Sequence, residues 1–204
     1  MGASSDWVRR LGSSHFNYWF GYVANGAWVA WLLGRGLPFG PGPLTAAAFF
    51  GHVAAGLALW SLLEYGLHRY LYHQWPSALS HGHGLHHDAP RSLIGVPWWL
   101  TSVALAAVYH LLARWLPPGP LGVEMGSCWL GYIGYCLVHH ATHHWPMRRR
   151  PWRAIKRRHQ AHHAFPNRNW GVTSPVWDVV FGTYGAGPGP RQRRPAAARG
   201  ARAR

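Results

Sequence analysis

The sequence predicts an all-α integral membrane protein with four transmembrane helices and a cytoplasmic, histidine-rich helical cap. Three observations lead to this prediction. Hydrophobic residues make up 49% of the 204 residues, while only 12% are charged, about half the share of an ordinary soluble domain. Long uncharged stretches separate the clusters of basic residues. The histidines, 16 in all, concentrate at the ends of those stretches and in the segments that follow them.

The four predicted spans are stretches of helical length with few or no charges. They cover about residues 16–34, 44–67, 92–114 and 121–139, and ~20 residues at 1.5 Å per residue cross the ~30 Å of hydrocarbon in a bilayer. The second stretch continues without a helix breaker into HRYLYH, so one long helix should carry His68 and His73 into the cytoplasm. The fourth stretch is the shortest, and it spans only if Glu124 lies at the outer interface.

The charge is strongly basic and lies on one side of the predicted membrane. The chain has 20 Lys and Arg residues against 5 Asp and Glu, and with a cytoplasmic N-terminus all the basic residues except Arg35 and Arg114 fall in cytoplasmic segments. Both termini and all histidine clusters are therefore predicted to be cytoplasmic, in a bacterial inner membrane. No cleavable signal peptide is apparent, and the membrane spans exclude a nucleic-acid binder.

The predicted organisation is one membrane domain with short flanking segments. Residues 1–10 form a polar leader, residues 11–184 the membrane domain, and residues 185–204 a basic tail rich in Pro, Gly and Ala that we expect to be disordered. Within the domain the cap comprises residues 68–91 and 140–184.

Two copies of an HxxHH motif dominate the cap. The spacing i, i+3, i+4 places three imidazoles on neighbouring points of one helical face, and the motif occurs at His83, His86 and His87 and again at His159, His162 and His163. Adjacent histidines diverge by ~100° on a helix, so one motif can serve two metals. Two further pairs are His68 with His73 and, near the end of the fourth span, either His139 with His143 or His140 with His144. The isolated His15, His52 and His110 are interpreted as hydrogen-bonded core residues.

The number of clustered histidines indicates two metal ions. Neutral imidazole suits Fe, Zn, Cu and Ni, and eight to ten such ligands are too many for one ion. The sequence contains no HExxH, no ExxH of the carboxylate-bridged type, no GxSxG and no phosphate-binding loop. A nearly all-nitrogen pair of metals at a membrane surface fits activation of dioxygen by iron, with an apolar substrate arriving from the bilayer.

Two acidic residues and two cysteines stand near these clusters in the sequence. Glu64 and Asp88 are candidates for carboxylates that orient metal-bound imidazoles, and the alternative for each is a helix-end position or a salt bridge with Arg69 or Arg91. Cys128 and Cys136 are interpreted as small apolar residues, because on one helix they lie ~12 Å apart along the axis and cannot bridge each other.

The order of the motifs resembles the fatty acid hydroxylase superfamily. HRYLYH, HGLHH, HHATH and HQAHH follow one another, with EY before the first and NWGVTSPVWDVVFGTY after the last. The superfamily includes fatty acid 2-hydroxylases, sterol desaturases and C4-sterol oxidases, and bacterial carotenoid hydroxylases, and the resemblance covers roughly residues 55–184. It implies a four-span di-iron oxygenase whose metal ligands, which are also its catalytic residues, are His68, His73, His83, His86, His87, His139, His143, His159, His162 and His163.

The resemblance is greatest to the fatty acid 2-hydroxylase branch. There the fourth-span motif reads Tyr, acid, two residues, His, three residues, His, and Tyr135 to His143 matches it, although Cys136 occupies the position of the acid. Carotenoid hydroxylases favour a step of five residues, which would pair His139 with His144. The ending WDVVFGTY favours the fatty acid branch and therefore His143.

The implied function is hydroxylation, or desaturation, of a C–H bond of a membrane lipid, in the first place a fatty acyl chain. It implies two iron ions, which zinc can replace in a purified sample, dioxygen as co-substrate, and an external electron donor such as a ferredoxin or a cytochrome with its reductase. The basic segment from Arg148 to Arg158 would suit an acidic donor. The rival functions are a carotenoid or sterol hydroxylase with the same metals, and a non-catalytic metal-binding or metal-transport protein, which should carry ligands at mid-membrane on several spans.

Overall fold

The computed structural model describes residue 12 and residues 14–185, and in that part of the chain all regular secondary structure is helical. The predictions for the leader 1–10 and for the tail after Gly185 lie outside the described residues. The helices are α1 (His15–Gly34), α2 (Ala46–Gly66, followed directly by a π-helix, Leu67–Tyr72), α3 (Ala78–Asp88), α4 (Trp98–Leu112), α5 (Pro118–His144), α6 (Trp152–Ala164) and α7 (Val176–Val180).

Two of the four predicted spans are helices that are long and apolar enough to cross a membrane. They are Ala46–Tyr72 and Pro118–His144, each of 27 residues. The first predicted span forms α1, with 20 residues. The third forms α4, with only 15 residues, and begins at Trp98 rather than near Ser92 because the residue before Pro97 is disfavoured in a helix. The all-helical class is confirmed, while two of the spans lack the length or hydropathy that marks the other two.

Side-chain caps define where three of the helices begin. Ser14 accepts a hydrogen bond from the backbone N–H of Asn17 at 2.9 Å, and Thr45 caps α2 in the same way. Ser77 and Ser80 form a reciprocal capping box at the start of α3. A capping hydroxyl satisfies a backbone donor that has no partner within the helix, and the box at Ser77 fixes the start of the first HxxHH helix.

Helix α5 is the centre of the bundle and packs against α1, α2, α4 and α6. Its contact with α2 is very close, because glycines stand where the two backbones meet. A Cβ atom on Gly56 would overlap the backbone at Glu124 and Cys128, and one on Gly131 would lie 2.6 Å from the ring of Trp60. Small residues at such crossings let helices approach closely without large side chains between them.

A polar network joins three of the helices. Asn25 on α1 donates to the carbonyl of Gly21 at 2.6 Å, and its carbonyl oxygen accepts from the indole N–H of Trp129 on α5 at 2.7 Å. The hydroxyl of Thr101 on α4 also lies 3.3 Å from that oxygen. The network fixes α1 against α4 and α5 beside the cavity described below.

The three isolated histidines differ from the prediction. His15 and His110 are exposed, and within the described part of the chain His52 alone of the three has a polar partner, Glu124, at 2.7 Å. His15 is the first residue of α1 and His110 lies close to the end of α4, so both side chains can extend to the protein surface. The prediction that all three are core residues was therefore wrong for His15 and His110.

Candidate metal centre

The structure brings all ten predicted ligand histidines together in two groups. The π-helix after α2 carries His68 and ends before His73, α5 contributes two histidines, and α3 and α6 contribute three each. The first cluster is His68, His73, His83, His87 and His162, and the second cluster is His86, His139, His143, His159 and His163. In each cluster the five donor atoms lie within 4.8 Å of one another.

The spacing of ring nitrogens in the first cluster suits coordination of one ion. The Nε2 atom of His83 lies 3.1 Å from that of His68, 2.9 Å from that of His73 and 3.1 Å from that of His87. The Nε2 atom of His162 lies 3.2 Å from that of His73. Imidazole nitrogens bound ~2.1 Å from one ion at right angles are ~3.0 Å apart. The observed separations are therefore those of the edges of a coordination polyhedron.

The second cluster has the same spacing. The Nε2 atom of His159 lies 2.8 Å from that of His143 and 3.1 Å from that of His163. The Nε2 atoms of His86 and His139 are buried and have no hydrogen-bond partner in the described part of the chain. Because buried polar atoms are rarely left without a partner, these nitrogens fit a site for an additional group, and their chemistry fits a transition metal.

Adjacent histidines divide between the two clusters. His86 belongs to the second cluster and His87 to the first, and His162 and His163 divide in the same manner. The rings of His87 and His163 stack at a centroid distance of 4.2 Å, so the clusters are immediate neighbours. The ~100° between successive helical residues is the reason that one HxxHH motif contributes to both.

Burial keeps His73, His86, His162 and His163 neutral near pH 7. Burial, assisted by the neighbouring His87, lowers the pKa of His73 to about 4 and that of His163 to about 2. Burial and the neighbouring His143 lower the pKa of His86 to about 3. Burial also lowers the pKa of His162 to about 3, although its hydrogen bond to a backbone carbonyl acts in the opposite direction. Neutral imidazole is the form that binds metal ions.

Backbone carbonyls orient two ligands of the first cluster. Nδ1–H of His68 donates to the carbonyl of Trp170 at 2.5 Å, and Nδ1–H of His162 donates to the carbonyl of Arg168 at 2.8 Å. A neutral imidazole with its proton on Nδ1 has the lone pair on Nε2. These contacts therefore direct two lone pairs to the interior of the first cluster, as the partners of metal-bound histidines do.

A buried aspartate holds the loop that supplies these carbonyls. Asp178, fully buried on α7, accepts hydrogen bonds from the backbone N–H groups of Trp170 and Gly171, both at 2.8 Å, and from the hydroxyl of Thr183 at 2.7 Å. Sequence reasoning missed Asp178. The available signal was an acidic residue within the apolar run VWDVV, a position where a charge persists only with partners.

Glu64 acts on the same loop rather than on an imidazole. Its carboxylate accepts from the backbone N–H groups of Val172 at 2.6 Å and Thr173 at 2.8 Å, and from the Thr173 hydroxyl. It forms no pair with Arg69, whose guanidinium donates to the hydroxyl of Tyr65. Glu64 therefore influences the histidines only through the loop, which is less direct than the predicted contact.

Asp88 lies at the exposed end of α3 and has no hydrogen bond or ion pair with any described residue. Burial lowers the pKa of the adjacent His87, and the charge of Asp88 opposes that shift. The negative charge of Asp88 thus acts on His87 through electrostatic attraction alone. Neither the predicted orienting contact nor the salt bridge with Arg91 forms among the described residues.

We expect Asp178→Asn to destabilise the protein by about 3 kcal/mol, because the new NH₂ group would face backbone N–H donors in a fully buried position. Thermal unfolding in detergent measures the loss. The matched control is Asp88→Asn, which removes an exposed acid of the same type and should leave the unfolding temperature unchanged. Equal unfolding temperatures for the two variants would contradict the role assigned to Asp178.

The alternative histidines of the fourth predicted span lie outside both clusters. His140 contacts the hydroxyl of Tyr18 through Nδ1 at 3.0 Å, and the exposed His144 stacks on His140 at 4.2 Å between ring centroids. Both therefore face away from the clusters, while His139 and His143 lie within the second cluster.

A cavity of about 350 Å³ reaches both clusters from the helical bundle. His83 of the first cluster and His86 and His139 of the second form part of its wall. The other walls are mainly apolar and aromatic, and include Tyr22, Leu100, Tyr132, Ile133 and Cys136. A second, more polar cavity of about 700 Å³ lies on another side of the first cluster and is lined by His73, His87 and Trp75. An elongated apolar molecule could therefore reach the histidines through the first cavity.

Comparison with known proteins matches residues 53–183 to the family "Fatty acid hydroxylase". The chain is 32% identical over 140 residues to a dihydroceramide fatty acyl 2-hydroxylase of Arabidopsis thaliana, FAH2, an alignment that covers 64% of this chain and 59% of that protein. It is 31% identical over 149 residues to the fatty acid 2-hydroxylase of Rattus norvegicus, with 67% of this chain and 40% of that protein covered. The chain thus spans between two fifths and three fifths of the length of these relatives.

A solved structure has the same fold. The hydroxylase domain of full-length scs7p superposes with a TM-score of 0.71 and 29% sequence identity, covering 89% of this chain and 69% of that chain. The family match extends from α2 to Thr183 and contains all ten clustered histidines. This chain therefore belongs to the fatty acid hydroxylase family.

Proposed function

We propose that this protein is an integral membrane di-iron oxygenase that hydroxylates a C–H bond of a lipid acyl chain, using dioxygen and electrons from an external donor. One observation carries the proposal: an apolar cavity ends on histidines of two adjacent five-histidine clusters, namely His83, His86 and His139. The relatives in plants and mammals are fatty acyl 2-hydroxylases by name, which favours an acyl chain over a sterol or a carotenoid.

We further propose that the domain of residues 11–184 crosses the membrane four times, with both termini and the histidine clusters in the cytoplasm. Each proposed span presents an exposed apolar side chain, such as Val23, Phe50, Val103 and Leu130, as contact with lipid requires. The exposed apolar residues of α7 would rest on the membrane surface beside the cap.

The ten clustered histidines are proposed to hold two metal ions, one in each cluster. The donors are all neutral nitrogens, which suit iron and also zinc. Two iron ions bound there would supply the reduction of dioxygen and the oxidising power to break an unactivated C–H bond. The overall reaction consumes the substrate C–H bond, one dioxygen, two electrons and two protons, and it forms the alcohol and one water.

The protein's own side chains would bind and orient the substrate. Tyr22, Leu100 and Ile133 form an apolar wall that accommodates an alkyl chain and excludes water. Desaturation is the alternative outcome for the same site, since removal of a second hydrogen would replace the addition of the hydroxyl.

An external protein must supply the electrons. Arg149, Arg153 and Arg157 are exposed on and next to α6, which carries ligands of both clusters. A basic surface of this kind would attract an acidic ferredoxin or a cytochrome and speed its encounter. A metal transporter is the less favoured function, because ligands of a transport site should lie at mid-membrane, whereas these lie at helix ends and in the cap.

The test is expression in a host whose lipids are analysed by mass spectrometry after growth under dioxygen labelled with heavy oxygen. We expect one class of acyl lipids to gain a hydroxyl that carries the label, because its oxygen comes from dioxygen rather than from water. A host with the empty vector is the control. A hydroxylated lipid without label, or lipid profiles identical to the control, would contradict the proposed function.

A further inference from the structure

The amide of Asn17 is held in one orientation at the first turn of α1. Its Oδ1 atom accepts a hydrogen bond from the backbone N–H of Trp98, the first residue of α4, at 2.9 Å. Because a backbone N–H can only donate, this contact identifies the oxygen of the amide. The NH₂ group of Asn17 is thereby fixed as the free end.

This NH₂ group is a buried donor without a partner. Asn17 is 7% exposed and lines the apolar cavity, and its Nδ2 atom has no hydrogen-bond partner among residues 12 and 14–185. Asn25, two turns further along α1, also lines the cavity, but its amide is fully bonded to Gly21 and Trp129. An unsatisfied buried donor is costly and calls for an acceptor that the protein itself does not provide.

The first turn of α1, which carries the free donor, lies beside the last turns of α5. The neighbouring Tyr18 contacts His140 through its hydroxyl at 3.0 Å, and the ring of Trp19 lies 5.5 Å from that of His140. His139 precedes His140 in the chain, belongs to the second cluster and lines the cavity. The first turn of α1 is therefore at about the same height in the bundle as His139.

The free NH₂ group selects for a hydrogen-bond acceptor on the substrate. Among the described residues of the cavity lining, none is Arg or Lys. The protein's own side chains at this cavity therefore offer the substrate a hydrogen-bond donor rather than a positive charge. A neutral carbonyl, as in an ester or amide, needs only a hydrogen-bond donor.

We propose that Asn17 is a substrate-binding residue whose Nδ2 donates a hydrogen bond to the neutral carbonyl oxygen of a bound acyl ester or amide. The inference rests on the proposed function and adds the residue that recognises the carbonyl. The contact holds the carbonyl at the metal end while the alkyl chain extends along the apolar wall, so Asn17 determines which carbon lies beside the clusters.

The test is a binding competition on the purified, zinc-loaded chain in detergent micelles, which needs no oxygen chemistry. A fluorescent acyl amide is displaced by a long-chain fatty acid amide, by the free fatty acid or by the hydrocarbon of equal length. We expect the wild-type chain to bind the amide about tenfold more tightly than the hydrocarbon, as one buried hydrogen bond allows.

Asn17→Asp keeps the acceptor for the Trp98 N–H and removes the donor, so the preference for the amide should disappear. Asn17→Leu is the second variant and removes both. The matched control is Ser14→Ala, which weakens the cap of the same helix turn without altering the cavity lining and should keep the preference.

Folded Asn17 variants that retain the tenfold preference would overturn the inference, and so would a wild-type chain that does not distinguish amide from hydrocarbon. The labelled-oxygen experiment tests the proposed function separately. A chain that prefers the amide but adds no labelled hydroxyl would contradict the oxygenase and support the role of Asn17.

Discussion

Replacing His162 and His163 together with alanine is expected to remove both metal ions and to abolish the hydroxylated lipid. The two residues are adjacent, yet each serves a different cluster: Nε2 of His162 lies 3.2 Å from that of His73, and Nε2 of His163 lies 3.1 Å from that of His159. Loss of a residue that only supports a ligand lowers metal affinity by about 10–100-fold. Loss of a ligand from each cluster should lower the affinity of both sites by more than about 100-fold.

The measurements are metal content per chain and lipid mass spectrometry of the expressing host. His144→Ala is the matched control, since His144 is exposed on α5 and lies outside both clusters. We expect two ions per chain in the wild type and in the control, and fewer than one in the double variant. A double variant that retains two ions, or the hydroxylated lipid, would contradict the assignment of these clusters.

Removal of the metals is expected to unfold the cap while the long helices of the bundle remain. Helices α3 and α6 have 11 and 13 residues, and isolated helices of this length are marginal in water. Each contributes three histidines to the clusters. Binding of a structural metal contributes about 10 kcal/mol or more to folding, so α3 and α6 should depend on the ions.

Hydrogen exchange before and after treatment with a chelator measures this effect. We expect the amides of residues 78–88 and 152–164 to lose protection by at least about 100-fold, and those of residues 121–135 in α5 to keep theirs. Reloading with zinc should restore protection, because zinc accepts the same nitrogen ligands. Unchanged exchange in α3 and α6 without metal would show that packing alone maintains the cap.

The sequence was most informative where a motif and an element coincide. The two HxxHH motifs fall on α3 and α6, and the long apolar stretches became α2 and α5. The contacts that could not be predicted from the sequence also have a physical explanation. The carbonyls of Trp170 and Arg168 orient two imidazoles, but a backbone carbonyl leaves no residue-type signal in a sequence. Glu64 was a candidate either for orienting an imidazole or for a helix-end or salt-bridge position. It binds backbone N–H groups more than 100 positions away, a contact that only the folded chain creates.

Cluster membership also lay beyond sequence reasoning. Spacing showed that neighbouring histidines diverge, but it could not assign His83 and His87 to one cluster and His86 to the other. That division depends on the angle at which α3 meets the π-helix and α6. The packing of α5 against α6 places His143, and not His144, within the second cluster.

The division of adjacent histidines couples the two sites mechanically. A small rotation of α3 about its axis that brings His87 closer to the first cluster must also change the position of His86 in the second, because the two side chains share one rigid backbone segment. The pair His162 and His163 imposes the same constraint through α6. An ion bound in one cluster would therefore set the rotational position of both helices and pre-form the other cluster. Filling of the two sites should be cooperative, and chains with a single ion should be scarce at every stage of loading.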